Sequence, residues 1–447
     1  MKGKDEADRG MDGIKGSPGQ DGPGRALQLT VVLSRQHVPA GRENGLALLL
    51  KLKAAEQQGA DRFPLNLSFV LDESGSMAGA KLAHTKRATE FAVRHLTQAD
   101  AASVVSFDDE VRTRVAQRKV TDKHVFYQAL EDIRAGGSTN LSGGLFAGYR
   151  NVREHLNQGQ VNRVLLLTDG LANVGVTDPG QLVRKVENLR KEGITLTTLG
   201  VGSDFDEELL TSLANAGGGE SYYIDSADKI PEVFRQELQG LLSVVGQGTV
   251  VGFRPAGGCR ITAMFGYSFS AGPDGIIAPV PDMYAGEERG VLLELAIPPL
   301  EEGRQSLGSF AVEYEEVGAT GGSVKLESDI AVVATRDEAL FAEHENLEVS
   351  KAREIHRSAE VMEEAVRYAD EGRLDEAVSC LNSQFDHLQS SPLAADSELG
   401  QVRERMKDQL ELLRTRGYDK ANRKQMVYNS NLLRQVRRST GNSTGKK

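Results

Sequence analysis

The chain of 447 residues is poor in cysteine and has no long apolar run. Its two cysteines, Cys259 and Cys380, lie outside any CxxC or Cys/His cluster, which argues against a zinc ribbon and a disulfide framework. Since no run of about 18 apolar residues occurs and the first residues hold no apolar signal core, we expect no membrane span. The net charge of −11 argues against generic nucleic-acid binding, and we expect no specific nucleic-acid partner. These features predict a soluble cytoplasmic protein; a mature form that has lost its signal is the alternative.

Composition and periodicity divide the chain into six predicted segments. Its length allows two or three domains. Residues 1–25 are rich in Gly and Pro and too polar to bury a core, so we expect a disordered leader. The segments after it are two N-terminal strands (26–60), an α/β domain (61–245), further strands of a β-sandwich (246–336), a helical region (337–416) and a basic tail (417–447).

Apolar runs of strand length alternate with amphipathic helices between residues 64 and 244. Strands are predicted at 65–71, 101–107, 162–168, 194–200 and 220–225, and helices at 80–96, 124–134, 142–157, 179–192, 206–215 and 228–244. This alternation is typical of a parallel sheet covered by helices on both faces. We therefore expect a doubly wound, Rossmann-like α/β domain.

The regions around this domain have other periods. Residues 246–336 alternate with period two between turn residues, which indicates an antiparallel sandwich. Two N-terminal strands, 27–35 and 45–54, joined at a hairpin-like turn at 39–41, would complete it, so that the α/β domain is inserted in the β-sandwich. The helical region contains a hairpin with Gly372 as its left-handed cap.

Oxygen-bearing side chains follow the first strand of the α/β domain. Asp72, Ser74 and Ser76 leave the end of this strand within five residues, and Gly75 allows a tight turn between the serines. Carboxylate and hydroxyl oxygens suit a hard divalent cation, Mg²⁺ in particular. Three ligands are too few, so the rest of the site must come from elsewhere in the chain.

The missing ligands are predicted from the topology. In a sheet of order 3-2-1-4-5-6 the first and fourth strands are neighbours, and ligands bind outside their carboxyl ends. If 65–71 is the first strand and 162–168 the fourth, Asp169 lies beside Asp72. Thr139 reaches the same point from the loop 136–140.

The combination of DxSxS at 72–76, Thr139 in a GGST loop and Asp169 in a TDG turn resembles the metal-ion-dependent adhesion site (MIDAS) of von Willebrand factor A (vWA) domains. The resemblance covers residues 64–244. It implies that the hydroxyl residues bind the ion directly and that the aspartates bind it directly or through water. Mg²⁺, Mn²⁺ and Ca²⁺ all accept such oxygens.

The resemblance also implies one open coordination position, which takes an acidic side chain of a partner protein. The residues expected on the partner-binding rim are Glu73, Met77, Asn140 and Asn173. The last helix of the domain, 228–244, can shift in this family. The whole layout resembles bacterial proteins in which a vWA domain is joined to a sandwich and a helical tail. Plant vWA proteins with a similar tail are RING ubiquitin ligases, but two cysteines cannot supply a RING.

The main functional hypothesis is a non-enzymatic, metal-dependent protein-binding module whose partner presents an Asp or Glu. The motif has no GxSxG elbow and no histidine base, which argues against hydrolysis. The alternatives are a regulatory or adaptor subunit, for example with an AAA+ ATPase, a metallohydrolase, and a vestigial domain that binds no metal.

Two further stretches carry weaker signals. His344 and Glu348 form an HExxE pattern that would share a face of a helix and allow a zinc site; a chance match in a charged helix is the preferred interpretation. The basic tail could bind RNA or anionic lipid, but we expect it to dock on the acidic surface of the protein or to be disordered. Sequence does not determine the partner or the oligomeric state.

Overall fold

The structure is a computed structural model that describes residues 25–56, 62–157, 159–316, 322–342, 344–434 and 437–439. The predicted leader lies outside these residues except for Arg25, and so does the end of the basic tail from residue 440. Three strands open the described chain: β1 (Leu27–Leu33), β2 (His37–Pro39) and β3 (Asn44–Ala54).

The α/β domain follows these strands. Its strands are β4 (Leu65–Asp72), β5 (Ala101–Phe107), β6 (Val111–Lys119), β7 (Val161–Thr168), β8 (Thr195–Val201) and β9 (Gly218–Ile224). Its helices are α1 (Ala80–His95), α2 (His124–Glu131), α3 (Leu141–Glu154), α4 (Pro179–Arg190), α5 (Glu207–Gly217) and α6 (Ile230–Leu241).

The sheet of this domain has the order β6-β5-β4-β7-β8-β9, which confirms the predicted order 3-2-1-4-5-6. All its pairs are parallel except that of β5 with β6. The strand β6 was not predicted, because its sequence, VRTRVAQRK, is polar and occupies an edge of the sheet. Along β4 and β7 every residue is buried, as expected for strands covered on both faces.

Helix α3 packs unusually close to the sheet. A Cβ atom on Gly144 would lie 2.4 Å from the ring of Phe107, and one on Gly148 would lie 2.4 Å from Val70. The glycines therefore let the helix backbone approach β4 and β5. This contact fixes the start of α3, and with it the loop 136–140.

Antiparallel strands follow the α/β domain. They are β10 (Val244–Pro255), β11 (Arg260–Phe265), β12 (Ser270–Gly272), β13 (Gly275–Pro279), β14 (Met283–Tyr284), β15 (Glu287–Ile297), β16 (Gly303–Glu316) and β17 (Ser323–Thr335). One sheet has the order β1-β3-β15-β11, and the other has the order β12-β13-β10-β16-β17-β2 with β14 beside β10. Each sheet therefore contains strands that precede the α/β domain along the chain and strands that follow it. The apolar faces of the two sheets form one core.

The link between β1 and β3 confirms one part of a prediction and corrects another. The two strands pair antiparallel and a turn follows Pro39 at residues 40–41, but the link also carries β2, which pairs in parallel with β17 in the other sheet. The alternating pattern of the flanking strands gave no sign of this crossing, because a three-residue strand is too short to show a period.

Helices complete the chain: α7 (Glu338–Phe341), α8 (Leu347–Asp370), α9 (Leu374–Ser390), α10 (Ser397–Arg416) and α11 (Lys420–Arg434), followed by β18 (Arg437–Ser439) on β15. Gly372 has a φ of +77° between α8 and α9, in the left-handed conformation predicted for it. In the described part of the chain, none of the helices is both long and apolar enough to cross a membrane.

The first part of the segment predicted as a basic tail is a helix in the structure. Residues 420–434 form α11, which packs on α8 and reaches the α/β domain. Arg423 and Lys424 both pair with Glu207 at the start of α5, and Arg423 also pairs with Glu208 and Asp370. This helix was missed because its apolar positions are few, whereas docking on an acidic surface was among the expectations.

A buried charge cluster joins the α/β domain to the sandwich. Arg163 on β7 has no exposed side-chain surface, and its Nη2 lies 2.5 Å from the carboxylate of Asp282. Its Nη1 lies 3.3 Å from Glu237 of α6, which also accepts hydrogen bonds from Thr197 and Tyr222. Burial opposes the charge of Arg163, but the carboxylates around it hold its pKa above the ordinary value. We name this group, Arg163, Asp282 and Glu237, the interdomain cluster.

Candidate metal centre

Two adjacent parallel strands bring the two predicted aspartates together. β4 ends at Asp72, and its neighbour β7 ends one residue before Asp169. The carboxylate of Asp72 accepts two hydrogen bonds, one from the backbone N–H of Ser74 (2.8 Å) and one from the Thr168 hydroxyl (2.5 Å). Asp72 and Asp169 are both fully buried, and each emerges at the carboxyl edge of the sheet.

The two serines lie between these carboxylates. A short 3₁₀ turn at Gly75–Met77 follows Ser74 and folds the chain back over the strand end. The hydroxyl oxygens of Ser74 and Ser76 are 3.1 Å apart, and Ser76 donates to Oδ1 of Asp169 at 2.7 Å. Four of the five predicted ligands are therefore joined by direct contacts.

Thr139 reaches the cluster from the loop before α3. The backbone N–H of Gly75 donates to the carbonyl of Gly137 at 3.1 Å, which fastens this loop to the DxSxS turn. A Cβ atom on Gly170 would lie only 3.0 Å from the Thr139 hydroxyl oxygen. The Thr139 side chain thus lies next to the TDG turn, and glycine leaves room for it.

The two asparagines predicted for the rim hold this loop in place. The side-chain carbonyl of Asn140 accepts from the N–H of Gly143 at 3.0 Å and caps α3. The side-chain carbonyl of Asn173, an exposed residue, accepts from the N–H of Thr139 at 2.8 Å. Asn173 therefore positions Thr139 directly, through the backbone of Thr139. Asn140 positions it indirectly, by capping the helix that follows the loop.

Glu73 and Met77 do not lie on the rim, which corrects their predicted place. Both side chains are buried, Glu73 with 1 % of its surface exposed. The Glu73 carboxylate turns away from the cluster and pairs with Arg112 and Arg114 of β6. For Glu73 the prediction failed because β6, which carries these arginines, was itself not recognised; Met77 packs in the apolar core of the domain.

Sequence reasoning missed two residues that contact the predicted ligands. Thr168 donates to Asp72 and precedes Asp169 in the TDG turn. Its position at the end of β7, beside the end of β4, could have been used to predict this contact. Lys81, in the first turn of α1, places its ammonium 2.5 Å from Oδ2 of Asp169. The spacing along the chain gave no sign of Lys81, because the contact depends on how α1 is packed.

The electrostatics of the cluster favour a cation. Burial raises the pKa of Asp72 to about 6, and the nearby Asp169 acts in the same direction, while hydrogen bonds from Ser74 and Thr168 oppose it. Two buried carboxylates next to three hydroxyl groups form a donor set of hard oxygens, which suits Mg²⁺, Mn²⁺ or Ca²⁺. The residues present therefore fit a hard divalent ion.

The HExxE pattern is not arranged as a metal site. α8 begins at Leu347, so His344 and Glu345 precede the helix and share no helical face with Glu348. Glu345 pairs with Arg353, and Glu348 pairs with Lys51. Within the described residues, no group of three or more His, Cys, Asp or Glu side chains is placed to hold a metal ion.

Known sequences and structures resemble this chain over different spans. Among curated proteins, the uncharacterized protein YfbK of Escherichia coli (strain K12) is 29 % identical over 48 % of this chain and 38 % of its own length. The uncharacterized protein sll0103 of Synechocystis sp. is 27 % identical over 68 % of this chain and 74 % of its own length. The E3 ubiquitin-protein ligase WAV3 of Arabidopsis thaliana is 29 % identical over 77 % of this chain and 44 % of its own length. The matched region thus spans less than half of YfbK and of WAV3.

Two solved structures share the fold of nearly the whole chain. The von Willebrand factor type A protein from Catenulispora acidiphila covers 95 % of this chain and 98 % of its own, with a TM-score of 0.71 and 19 % identity. The ArnB paralog VWA2 from Sulfolobus acidocaldarius covers 91 % of this chain and 98 % of its own, with a TM-score of 0.62 and 15 % identity.

The family model of the von Willebrand factor type A domain matches residues 66–236, which are the residues that form the central sheet and its helices. This chain therefore carries a von Willebrand factor type A domain.

Proposed function

We propose that the chain is a metal-dependent protein-binding module with an intact MIDAS. A divalent cation, Mg²⁺ or else Mn²⁺ or Ca²⁺, would take its last ligand from an Asp or Glu of a partner protein. One observation carries the proposal, namely the convergence of five oxygen-bearing side chains at the carboxyl edge of the sheet. These are Asp72, Ser74, Ser76, Thr139 and Asp169.

The neighbouring residues support a preorganised site. Thr168 orients Asp72, and Asn173 orients the backbone of Thr139. Residues that are held by such a supporting shell lose little freedom when an ion binds. When bound, the cation supplies a Lewis-acidic attachment point for a carboxylate. Ser76 is exposed, so a partner can reach this face.

We propose a binding function rather than catalysis. WAV3 is called an E3 ubiquitin-protein ligase, but the matched region covers 44 % of it and this chain has two cysteines, too few for a RING. Cys259 and Cys380 are free thiols, which agrees with the proposed cytoplasmic location. The α/β domain would be an insertion in the sandwich, which would then act as a rigid frame for the site.

Calorimetry and peptide capture together test the proposal. Titration of the full chain with MgCl₂ should show one site, and Thr139→Val should weaken it at least about tenfold, because one ligand oxygen is lost while the backbone bonds remain. Ser138→Ala, which changes the exposed neighbour, is the matched control and should bind as the wild type does.

The partner chemistry is tested with two pools of random peptides, one with a fixed central Asp and one with Asn at the same position. The immobilised chain should retain the Asp pool in Mg²⁺ and release it in EDTA, and it should not retain the Asn pool. Equal retention of both pools, or retention that EDTA does not change, would refute carboxylate recognition through the metal.

A further inference from the structure

We infer that Lys81 is a tethered cation that competes with the divalent ion for the carboxylate of Asp169 and thereby sets the metal affinity of the centre. The inference rests on the proposed metal site. It adds to that site a residue, Lys81, that controls metal binding without being a ligand. It assigns Lys81 a positioning role, in which the ammonium holds Asp169 until a metal ion displaces it.

Both oxygens of the Asp169 carboxylate are engaged. Oδ2 lies 2.5 Å from the ammonium of Lys81, and Oδ1 accepts from Ser76 at 2.7 Å. Asp169 is fully buried, so it depends on these neighbours for the interactions that water would otherwise supply. A divalent ion that binds Oδ2 must share this oxygen with the ammonium or displace it, and repulsion between the two cations favours displacement.

Lys81 is placed so that it can leave. It lies in the first turn of α1, and 27 % of its side chain is exposed. A Cβ atom on Gly202, which follows β8, would lie 3.5 Å from the ammonium, so the side chain lies between the ends of β7 and β8. A flexible stem of four carbons allows the charge to move into water without a backbone change.

The other cations near the centre are engaged elsewhere. Arg112 and Arg114 pair with Glu73 on the opposite side of β4, and they also bond Asp108 and Ser106. Among the described residues, Lys81 is therefore the cation that contacts the predicted ligand set directly. Because a bound divalent ion and a nearby ammonium repel each other, the ion must bind against the pairing of Lys81 with Asp169.

Replacement of Lys81 by methionine separates these effects. Lys81→Met keeps the length of the side chain and removes the charge, so it should tighten Mg²⁺ binding at least about tenfold by calorimetry. In EDTA the variant should unfold at a lower temperature than the wild type, because Asp169 loses its counter-ion beside Asp72. Saturating Mg²⁺ should remove most of this difference, since metal binding and stability are linked.

Lys86→Met is the matched control. Lys86 lies on the same helix and donates to the backbone carbonyls of Glu131 and Ile133, so its loss should leave Mg²⁺ affinity unchanged. If Lys81→Met does not fold in EDTA, Lys81→Gln, which keeps a donor without charge, is titrated instead and should also bind Mg²⁺ more tightly than the wild type.

The outcomes distinguish this inference from the function on which it rests. Wild-type binding of Mg²⁺ that Lys81→Met leaves unchanged or weakens overturns the role of Lys81 and leaves the metal site standing. A wild type that binds neither Mg²⁺ nor Mn²⁺, with a variant that binds, supports the inference in its strongest form. Absence of binding in every variant overturns the metal site and the inference together.

Discussion

The two ends of the central sheet both hold buried carboxylates, but they are built differently. At the carboxyl end, Asp72 and Asp169 adjoin three hydroxyl groups and one partly exposed ammonium. At the amino end, the interdomain cluster pairs Arg163 with Asp282 and Glu237, all of them nearly inaccessible to water. The ends are roughly 20 Å apart, because six residues of strand separate Arg163 from Asp169.

This difference separates the proposed metal site from a structural joint. Buried arginine–carboxylate pairs satisfy each other, so removing one partner leaves an uncompensated charge. Carboxylates beside hydroxyl oxygens can still accept a metal ion. Buried charge alone therefore does not distinguish the two ends. Asp282 and Glu237 share the guanidinium group of Arg163, whereas among the described contacts Asp72 and Asp169 are joined to hydroxyl groups and to the Lys81 ammonium.

The largest expected effect comes from breaking the joint. Arg163→Met should lower the free energy of unfolding by about 3–5 kcal/mol, because Asp282 and Glu237 stay buried without their cation. Urea unfolding followed by circular dichroism measures this loss. The control is Arg153→Met, whose exposed pair with Glu192 should cost at most about 1 kcal/mol. Equal losses in the two variants would contradict the distinction.

Removal of the metal should act on the other end alone. With Mg²⁺ at 100 times its dissociation constant, EDTA should lower the free energy of unfolding by about 2.7 kcal/mol. The same decrement is expected in Arg163→Met, since distant sites contribute additively. In Thr139→Val at the same Mg²⁺ concentration the decrement should be at most about 1.4 kcal/mol, because a site ten times weaker is then only ten times above its dissociation constant. A decrement that disappears in Arg163→Met would show that the two ends are coupled.

A third ion cluster, intermediate in exposure, sharpens the comparison. Lys424 of α11 is 4 % exposed, and its ammonium contacts the Phe205 carbonyl and the carboxylate of Glu207, whose side chain is 13 % exposed. Lys424→Met should destabilise the protein by about 2 kcal/mol, less than Arg163→Met because Arg423 still pairs with Glu207. Thermal unfolding measures the effect, and Lys420→Met, at an exposed position 3.9 Å from Asp204, should be nearly silent.

The smallest expected effect tests whether the hydrogen bonds that hold the predicted metal ligands contribute to metal affinity. Thr168→Val keeps the shape of the side chain and removes the hydroxyl that bonds Asp72, so stability should fall by about 1 kcal/mol. Mg²⁺ affinity, measured by calorimetry, should fall as well because Asp72 is less well oriented. Thr113→Val on the exposed face of β6 should change neither quantity measurably.

The sequence allowed the strand order and the convergence of the aspartates to be predicted. The strands that carry Asp72 and Asp169 are strongly apolar, and each aspartate stands directly at or after a strand end, so topology alone brings them together. Local pattern was sufficient there because backbone geometry decides the positions. The local pattern failed for β6, which lies at an edge of the sheet and is polar. It also failed for α11, which is held to the α/β domain by ion pairs more than by apolar contacts.

Contacts that depend on tertiary packing were beyond sequence reasoning. Arg163 and Asp282 come from different domains, and the periodicity of β7 gives no reason to expect a cation in its core. Lys81 and Asp169 are 88 positions apart in the sequence and meet only through the packing of α1, which carries Lys81 in its first turn. Glu73 sits inside the motif, yet its direction was decided by two arginines on a strand that had not been predicted.

The pairing of β3 with β15 has a consequence for how the protein is made. Leu50 lies opposite Val291, so β1 and β3 leave the ribosome long before their partner strand is synthesised. The α/β domain lies wholly between these strands and has its own cores, so it can fold while they wait. During translation the α/β domain, which carries the predicted metal ligands, can therefore fold first, and the sandwich is completed afterwards when β15 pairs with β3.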